Sequence, residues 1–381
     1  LFKIRRKTIS AIFYFSLIVC GAVGGPGLSS DTTGRLLLNG KPFRGIGVNY
    51  YDAFVRTLES PARTNYTSGF RELASLEIPF ARISAGGYWP IEWGLYRTNR
   101  TQYFAQFDAL VKSAEKNRIG LIPSLFWLLS TVPDLVGEPC DQWGNPESRT
   151  IAFMREYTGE MVGRYHNSSA IWAWEFGNEY NLGADLPNAG EHRPATLPQL
   201  GTPAARSARD DLTHEAFRRA LVEFAKEVRL HDPDRLILSG NAFPRASAWH
   251  QQHSKNWEID TADQFAEVLA ADNPEPIDSL TVRLYDDSDS NRIRQAMMLG
   301  QKLNKPLFVG EFGVPGKMNG ETRNRFKAQL DRIEIANVPL AALWVYDFND
   351  QAENWTVTSN NSRSEQLKAI SDFNRRLHLK P

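Results

Sequence analysis

From Arg35 onward, short apolar runs rich in β-branched residues alternate with longer stretches in which apolar positions recur every three or four residues. The short runs begin near Phe43, Ile78, Ile119, Ala170, Arg235, Asp278, Pro306 and Leu340, at intervals of 28 to 65 residues. Each interval has room for a crossover helix and none has hairpin length, so the runs are predicted to be parallel strands. One intervening stretch shows the helical period clearly. Tyr103, Phe107, Leu110, Val111 and Ala114 share a face, while Lys112, Glu115 and Lys116 lie on others. Two further helices are expected over 213–230 and 322–336. Eight such alternations predict an α/β fold, a (β/α)8 TIM barrel in a single domain with loop insertions. A doubly wound open sheet is the structural alternative, but no GxGxxG or Walker loop follows any of the runs. A Pro- and Ala-rich stretch from Leu186 to Arg209 is expected to be a long loop beside the site rather than a linker.

The start of the chain follows another pattern. Lys3, Arg5, Arg6 and Lys7 precede an uncharged run from Thr8 to Ser30, with its apolar core between Ile9 and Val23. A basic start, a short apolar core and then small residues describe a secretory signal over 1–24, with Ala22 and Gly24 at the positions a signal peptidase reads. The alternatives are an uncleaved membrane anchor and lipid attachment at Cys20, against which stands the bulk of Val19. The product is expected to be secreted or periplasmic and to meet a membrane only through that leader. Residues 25–34 form a short N-terminal segment before the domain at 35–381.

The 381 residues carry 44 basic and 44 acidic side chains, so the formal charge is zero. That balance argues against a nucleic-acid partner, which requires a clustered basic surface, and against an electrostatic grip on anionic polysaccharides. Ten tryptophans, 12 tyrosines and 21 phenylalanines are enough to pack a core and still offer rings for stacking. With the leader removed, Cys140 has no partner, and the seven histidines are scattered. His250 and His253 are read as exposed polar residues, and no metal is expected. A monomer is expected.

In a barrel of this kind the chemistry sits where strands end and loops begin. Two strand ends carry a glutamate there: Trp174-Glu175-Phe176-Gly177-Asn178-Glu179 and Pro306-Leu307-Phe308-Val309-Gly310-Glu311-Phe312-Gly313. Burying a carboxylate at the end of an apolar strand is costly unless it is paired. Two such groups, on the fourth and seventh strands, could face one another across the barrel mouth, and a carboxyl pair flanking one bond is the machinery of glycoside hydrolysis. Structural glutamates tied to arginines are the alternative reading.

The Asn178-Glu179 strand end, with Glu311 132 residues later, resembles the retaining β-glycosidases of glycoside hydrolase family 5, which holds cellulases and β-mannanases. The resemblance extends over the mature chain as strand order and implies one catalytic domain, with Glu179 as acid/base and Glu311 as nucleophile. It further implies that Arg82 steadies the nucleophile and that Asn178 binds the hydroxyl beside the attacked carbon. Tyr285 would hydrogen-bond the nucleophile, and Trp344 would floor the reacting sugar. Trp127, ending the third strand, is a candidate second platform. The family's sixth strand usually reads His-x-Tyr, whereas this chain has Arg283-Leu284-Tyr285; the arginine could bind a substrate hydroxyl, pair with a glutamate or mark altered specificity. Tyr180 stands where Pro is common after the acid/base. Glu175, on the same side of the strand as Glu179 but deeper, is read as structural.

The resemblance thus implies double displacement on a neutral β-glycan without a cofactor. β-1,4-Mannan or glucomannan comes first, β-1,4-glucan second. An exo-acting β-glycosidase, its cleft walled by the 186–209 loop, and a barrel that binds carbohydrate without turnover are the alternatives.

Overall fold

The computed structural model describes residues 25–286 and 289–379; the leader reading of residues 1–24 lies outside them. Eight parallel strands form the barrel: β1 (Gly45–Asn49), β2 (Phe80–Ser84), β3 (Gly120–Phe126), β4 (Ala173–Gly177), β5 (Leu236–Leu238), β6 (Leu280–Leu284), β7 (Leu307–Phe312) and β8 (Leu340–Leu343). Each lies within three residues of its expected start. Strand ladders run without interruption from β5 back to β1, across to β8, and on to β6. The β5–β6 seam is closed instead by Asp278. Its backbone N–H donates to the Ile237 carbonyl at 3.0 Å, and its carboxylate accepts from the Ile237 N–H at 2.7 Å.

Seven helices cross between the strands, α1 (Tyr66–Ser75), α2 (Arg100–Asn117), α3 (Arg149–Tyr165), α4 (His214–His231), α5 (Ala262–Ala271), α6 (Asp289–Leu303) and α7 (Gly320–Ile335), and α8 (Ser364–Leu379) follows the last strand. Local sequence starts several of them, since the side chains of Asn99, Ser148, Thr213, Thr261 and Asn319 accept the otherwise orphaned amides of the first turn. The periodic positions of α2 all pack inward.

Strand alternation sorts the core into two parts. Outward residues such as Ala81, Ile83, Trp174, Phe176, Val282 and Val309 pack against the helices. Inward residues Phe80, Ile122, Leu236, Phe308 and Leu340 fill the lower half of the barrel. The segment 25–34, set apart from the domain in the sequence, joins this lower core. Leu28–Ser30 pairs antiparallel with Leu36–Leu38, which pairs with Lys41–Pro42, and Leu28 and Leu36 plug the bottom of the barrel. The attachment point is Trp172, whose carbonyl accepts from the Leu28 N–H at 2.7 Å and whose ring meets Phe43 edge-on at 5.3 Å. Two-residue periodicity over such short strands is too brief to be read from sequence.

A Cβ at Gly120 would collide with the Trp172 ring. Gly120→Ala is therefore expected to destabilise the protein by about 1–3 kcal/mol through overpacking. Activity per folded molecule should be unchanged, because the change is at the opposite end from the strand C-termini. Urea melts together with active-fraction assays would check both parts.

Candidate active site

Above the apolar lower half, the inward positions become polar: Asn49 on β1, Arg82 on β2, Ser124 on β3, Glu175 on β4, Arg283 on β6 and Glu311 on β7 are all buried. Arg82, with no exposed surface, organises this layer. Its Nε donates to Glu175 Oε1 at 2.7 Å. Nη1 donates to Glu311 Oε1 at 2.9 Å and to Asn49 Oδ1 at 3.0 Å, and Nη2 to Asn178 Oδ1 at 2.9 Å. A buried guanidinium needs these acceptors, since an unpaired charge in such a site costs several kcal/mol.

Glu311 reaches the layer through a break in alternation. Phe308 faces the barrel interior and Val309 the helices, so regular pleating would turn Glu311 outward as well. The ladder register shifts between Val309 and Glu311, and this bulge at Gly310 turns the carboxylate inward and Phe312 outward. There Glu311 accepts from Arg82 and, through Oε2, from the Tyr285 hydroxyl at 2.6 Å. Burial first, and then the charge of Glu311, push the Tyr285 phenol far above its ordinary range, so it stays a neutral donor.

Glu179 sits past the end of β4 in a left-handed backbone conformation, φ 56°, with its N–H donating to the Gly240 carbonyl at 2.9 Å. A non-glycine residue held there stores strain of about 1–3 kcal/mol, a cost that clusters at working sites. Burial, and secondarily the charge of Glu311, raise its pKa to about 7, with Arg283 and Arg82 pulling the other way. Glu179 Oε1 and Glu311 Oε1 lie 3.8 and 3.2 Å from the same atom, Arg283 Nε. The two oxygens are therefore within about 7 Å of one another, close enough to flank a single bond.

Asn178 Oδ1 accepts from two arginines, Arg82 Nη2 at 2.9 Å and Arg283 Nη2 at 2.8 Å. Guanidinium groups only donate, so the amide oxygen must face inward and the amide nitrogen the pocket. That pocket, about 540 Å3, is lined by Glu179, Glu311, Asn178 and Tyr285 together with Tyr51, Trp127, Trp344, Phe348 and Trp355. Trp344 is half-buried, its Nε1 donating to Gln351 at 2.8 Å, and the Trp355 ring lies 5.4 Å from that of Tyr285.

Arg82 contacts the proposed nucleophile Glu311, as the resemblance implies, and of the readings open for Arg283 the structure shows pairing with a glutamate. Both are buried, at 0% and 4% exposure, and neither lines the pocket. They stand behind the carboxylates and Asn178 and act through them. Trp127 does line the pocket, but Arg82 covers its face, the guanidinium carbon lying 4.2 Å from the ring centroid. With 6% exposure it supports the layer rather than offering an open platform. The 186–209 loop contributes no pocket-lining residue. Arg206 ties it to Asp134 at 2.6 Å, against the segment after β3, and the pocket walls come from the loops after β1, β2 and β8. His253 is exposed, as read from the sequence, and stacks on Trp249, whereas His250 is half-buried and pairs with Asp260 at 2.8 Å.

Asn49, Tyr51 and Trp355 were not foreseen. Asn49 ends an apolar run as Glu175 nearly does, and a buried polar residue at a strand's C-terminal end was the available signal. Trp355 lies in a loop without periodicity, where sequence offers none.

No protein-family signature and no curated protein matches the chain. Solved structures do. The endo-1,4-beta-mannanase from Rhizomucor miehei is 15% identical, with 93% of this chain and 100% of that one covered at a TM-score of 0.67. The endo-beta-1,4-mannanase from Thermotoga petrophila is 16% identical, covering 88% and 78% at 0.63. A glycoside hydrolase family 5 mannosidase from R. miehei is 10% identical, covering 93% and 99% at 0.65. At these identities the likeness is one of fold.

A carboxyl whose folded pKa is raised imposes no cost while it is protonated in both states, below about pH 4.5. As the pH climbs towards 7 the unfolded chain ionises while the folded site holds its proton, so stability falls. Glu179→Gln removes this term. The variant is expected to match the parent at pH 4.5 and to exceed it by about 1–3 kcal/mol at pH 8. Denaturant melts across that range would check it; a pH-independent difference would contradict the assignment.

Proposed function

We propose that the chain is a retaining glycoside hydrolase acting on a neutral β-linked glycan, as its resemblance to family 5 implies. The observation that carries this reading is the pair of carboxyls with opposite surroundings at one pocket. Glu311 is ion-paired to Arg82 and Arg283 and receives the Tyr285 hydroxyl, while Glu179 holds its proton to about pH 7. Glu311 attacks the anomeric carbon as Glu179 protonates the leaving oxygen; water then cleaves the glycosyl-enzyme with Glu179 as base. The Asn178 amide nitrogen is placed to donate to a hydroxyl beside the attacked carbon, and the Trp344 ring to lie under the sugar.

Charge in the pocket supports a neutral substrate. Asp52, Glu59, Glu92 and Asp350 line it against two arginines. Arg56 is already engaged by Asp52 and Asp347, and Arg63 by Glu59. An anionic sugar would meet carboxylates and committed cations. That the structural neighbours are mannanases and a mannosidase supports mannan or glucomannan ahead of β-1,4-glucan. The basic and then apolar leader supports export, so the glycan would be met outside the cytoplasm.

Reducing ends should appear from glucomannan and mannan faster than from soluble cellulose, and not with Glu311→Ala. Proton NMR of the first product should show the β anomer; an α anomer would reject retention. Glu179→Ala should lose about 10²–10⁴-fold on oligosaccharides, yet far less in forming the glycosyl-enzyme from aryl glycosides whose leaving group needs no proton. Product lengths would separate endo from exo action. Absence of turnover on polymers and oligosaccharides alike would leave a barrel that only binds.

A further inference from the structure

Arg283 has a contact set beyond what steadying a nucleophile requires. Nη2 donates to Asn178 Oδ1 at 2.8 Å and to the Gly240 carbonyl at 2.7 Å, and Nη1 to the Asn241 and Val282 carbonyls at 3.3 Å. These four acceptors fix the fork, so that Nε points between the reacting carboxylates, 3.2 Å from Glu311 Oε1 and 3.8 Å from Glu179 Oε1. The backbone makes room for it: a Cβ at Gly310 would collide with Arg283 Nη1, and one at Gly240, φ 77°, with the Gly177 carbonyl.

Resting on the glycosidase reading above, the geometry points to Arg283 as the positioning residue that converts Glu179 from acid to base between the two halves of the reaction. In the first half a Glu311 oxygen bonds the anomeric carbon, the bond to the leaving oxygen breaks, and that oxygen takes the Glu179 proton. Glu311 becomes a neutral ester. The charged groups acting on Glu179 are Glu311 on β7, Arg283 on β6 and Arg82 on β2, with Glu175 on β4 and Tyr285 above β6 acting on Arg283. Esterification therefore removes the repulsive charge nearest Glu179 and leaves both guanidinium groups in place. Arg82 still faces Glu175 directly, whereas both ion-pair partners of Arg283 are the reacting carboxylates, one of which is now an ester. Glu179 then favours its carboxylate form and takes a proton from water. The water oxygen bonds the anomeric carbon, the ester bond breaks, and Glu311 leaves ionised with Glu179 protonated again. A histidine could exert this pull only while protonated; a guanidinium exerts it at every working pH.

The test uses an aryl β-glycoside with a good leaving group, so that hydrolysis of the glycosyl-enzyme limits kcat. In the wild type, kcat/KM on an oligosaccharide should fall above about pH 7. The kcat for the aryl glycoside should persist to at least about one pH unit lower before it declines. Arg283→Gln should slow glycosyl-enzyme hydrolysis by on the order of tenfold or more. It should also leave more of the enzyme as glycosyl-enzyme in the steady state than the wild type, and move the acid limb of kcat and the basic limb of kcat/KM upward. Arg283→Lys should restore both limbs but keep a raised KM, because the fork on Asn178 is lost. A wild-type kcat that already declines near pH 7 would overturn the proposal even if both variants failed to fold. So would an Arg283→Gln enzyme with unchanged limbs and an unchanged rate of glycosyl-enzyme hydrolysis. A wild type that turns over no glycoside would instead overturn the glycosidase reading.

Discussion

The buried Arg82–Glu175–Glu311 ion-pair set is the constraint on which the upper half of the barrel depends. A guanidinium with no exposed surface is tolerated only because two carboxylates and two amide oxygens surround it. Breaking such a set by removing one partner leaves an uncompensated charge, at a cost of about 3–5 kcal/mol. The strands must therefore hold registers that bring β1, β2, β4 and β7 to one point. The apolar lower layer stabilises the barrel without preference among the chemistries it might carry. The polar layer fixes which side chains meet.

Position and exposure divide the labour between layer and loops. The arginines are immobilised behind the carboxylates and reach a ligand only through Glu179, Glu311 and Asn178, so their geometry does not depend on what occupies the pocket. The walls come from loops after β1, β2 and β8, held together by ring contacts such as Tyr51 with Trp127 at 4.7 Å and with Phe348 at 5.0 Å. Reaction type is thus set inside the barrel. Substrate choice is left to surfaces that can vary without disturbing the ion pairs, in keeping with the division usual in this architecture.

Much of this arrangement was legible in the chain. Regular spacing of apolar runs gave eight strands, and carboxylates at the ends of apolar runs marked the Glu175–Glu179 segment and Glu311, whereas Arg82 was implied by the resemblance to family 5. Three kinds of feature were not legible. The sheet over 28–42 is built from strands too short to show a period. Exposure of a tryptophan or arginine depends on what crosses above it, so Trp127 read as a candidate platform although it lies under Arg82, and the choice for Arg283 between a sugar hydroxyl and a glutamate stayed open. The role of the 186–209 loop was inferred from length alone, and length does not say which way a loop folds. One feature was half legible: Phe308 and Glu311 cannot both face inward on a regular strand, and that conflict in parity is itself the signature of the bulge at Gly310.

Counting charges explains why Glu179, rather than a neighbour, keeps a proton. Two guanidinium groups face three carboxyls in a shared buried space, and Glu175 and Glu311 hold the direct contacts to Arg82. The third carboxyl, 3.8 Å from Arg283 Nε and without a hydrogen bond to it, is the one that burial and repulsion can keep neutral. A histidine in place of Arg283 would make the positive count depend on pH, and two groups would then titrate against each other near neutrality. With a permanent cation the count is fixed. Glu179 is then the group left to change its charge, and its protonation follows the charge on Glu311 rather than the state of a second titrating ring.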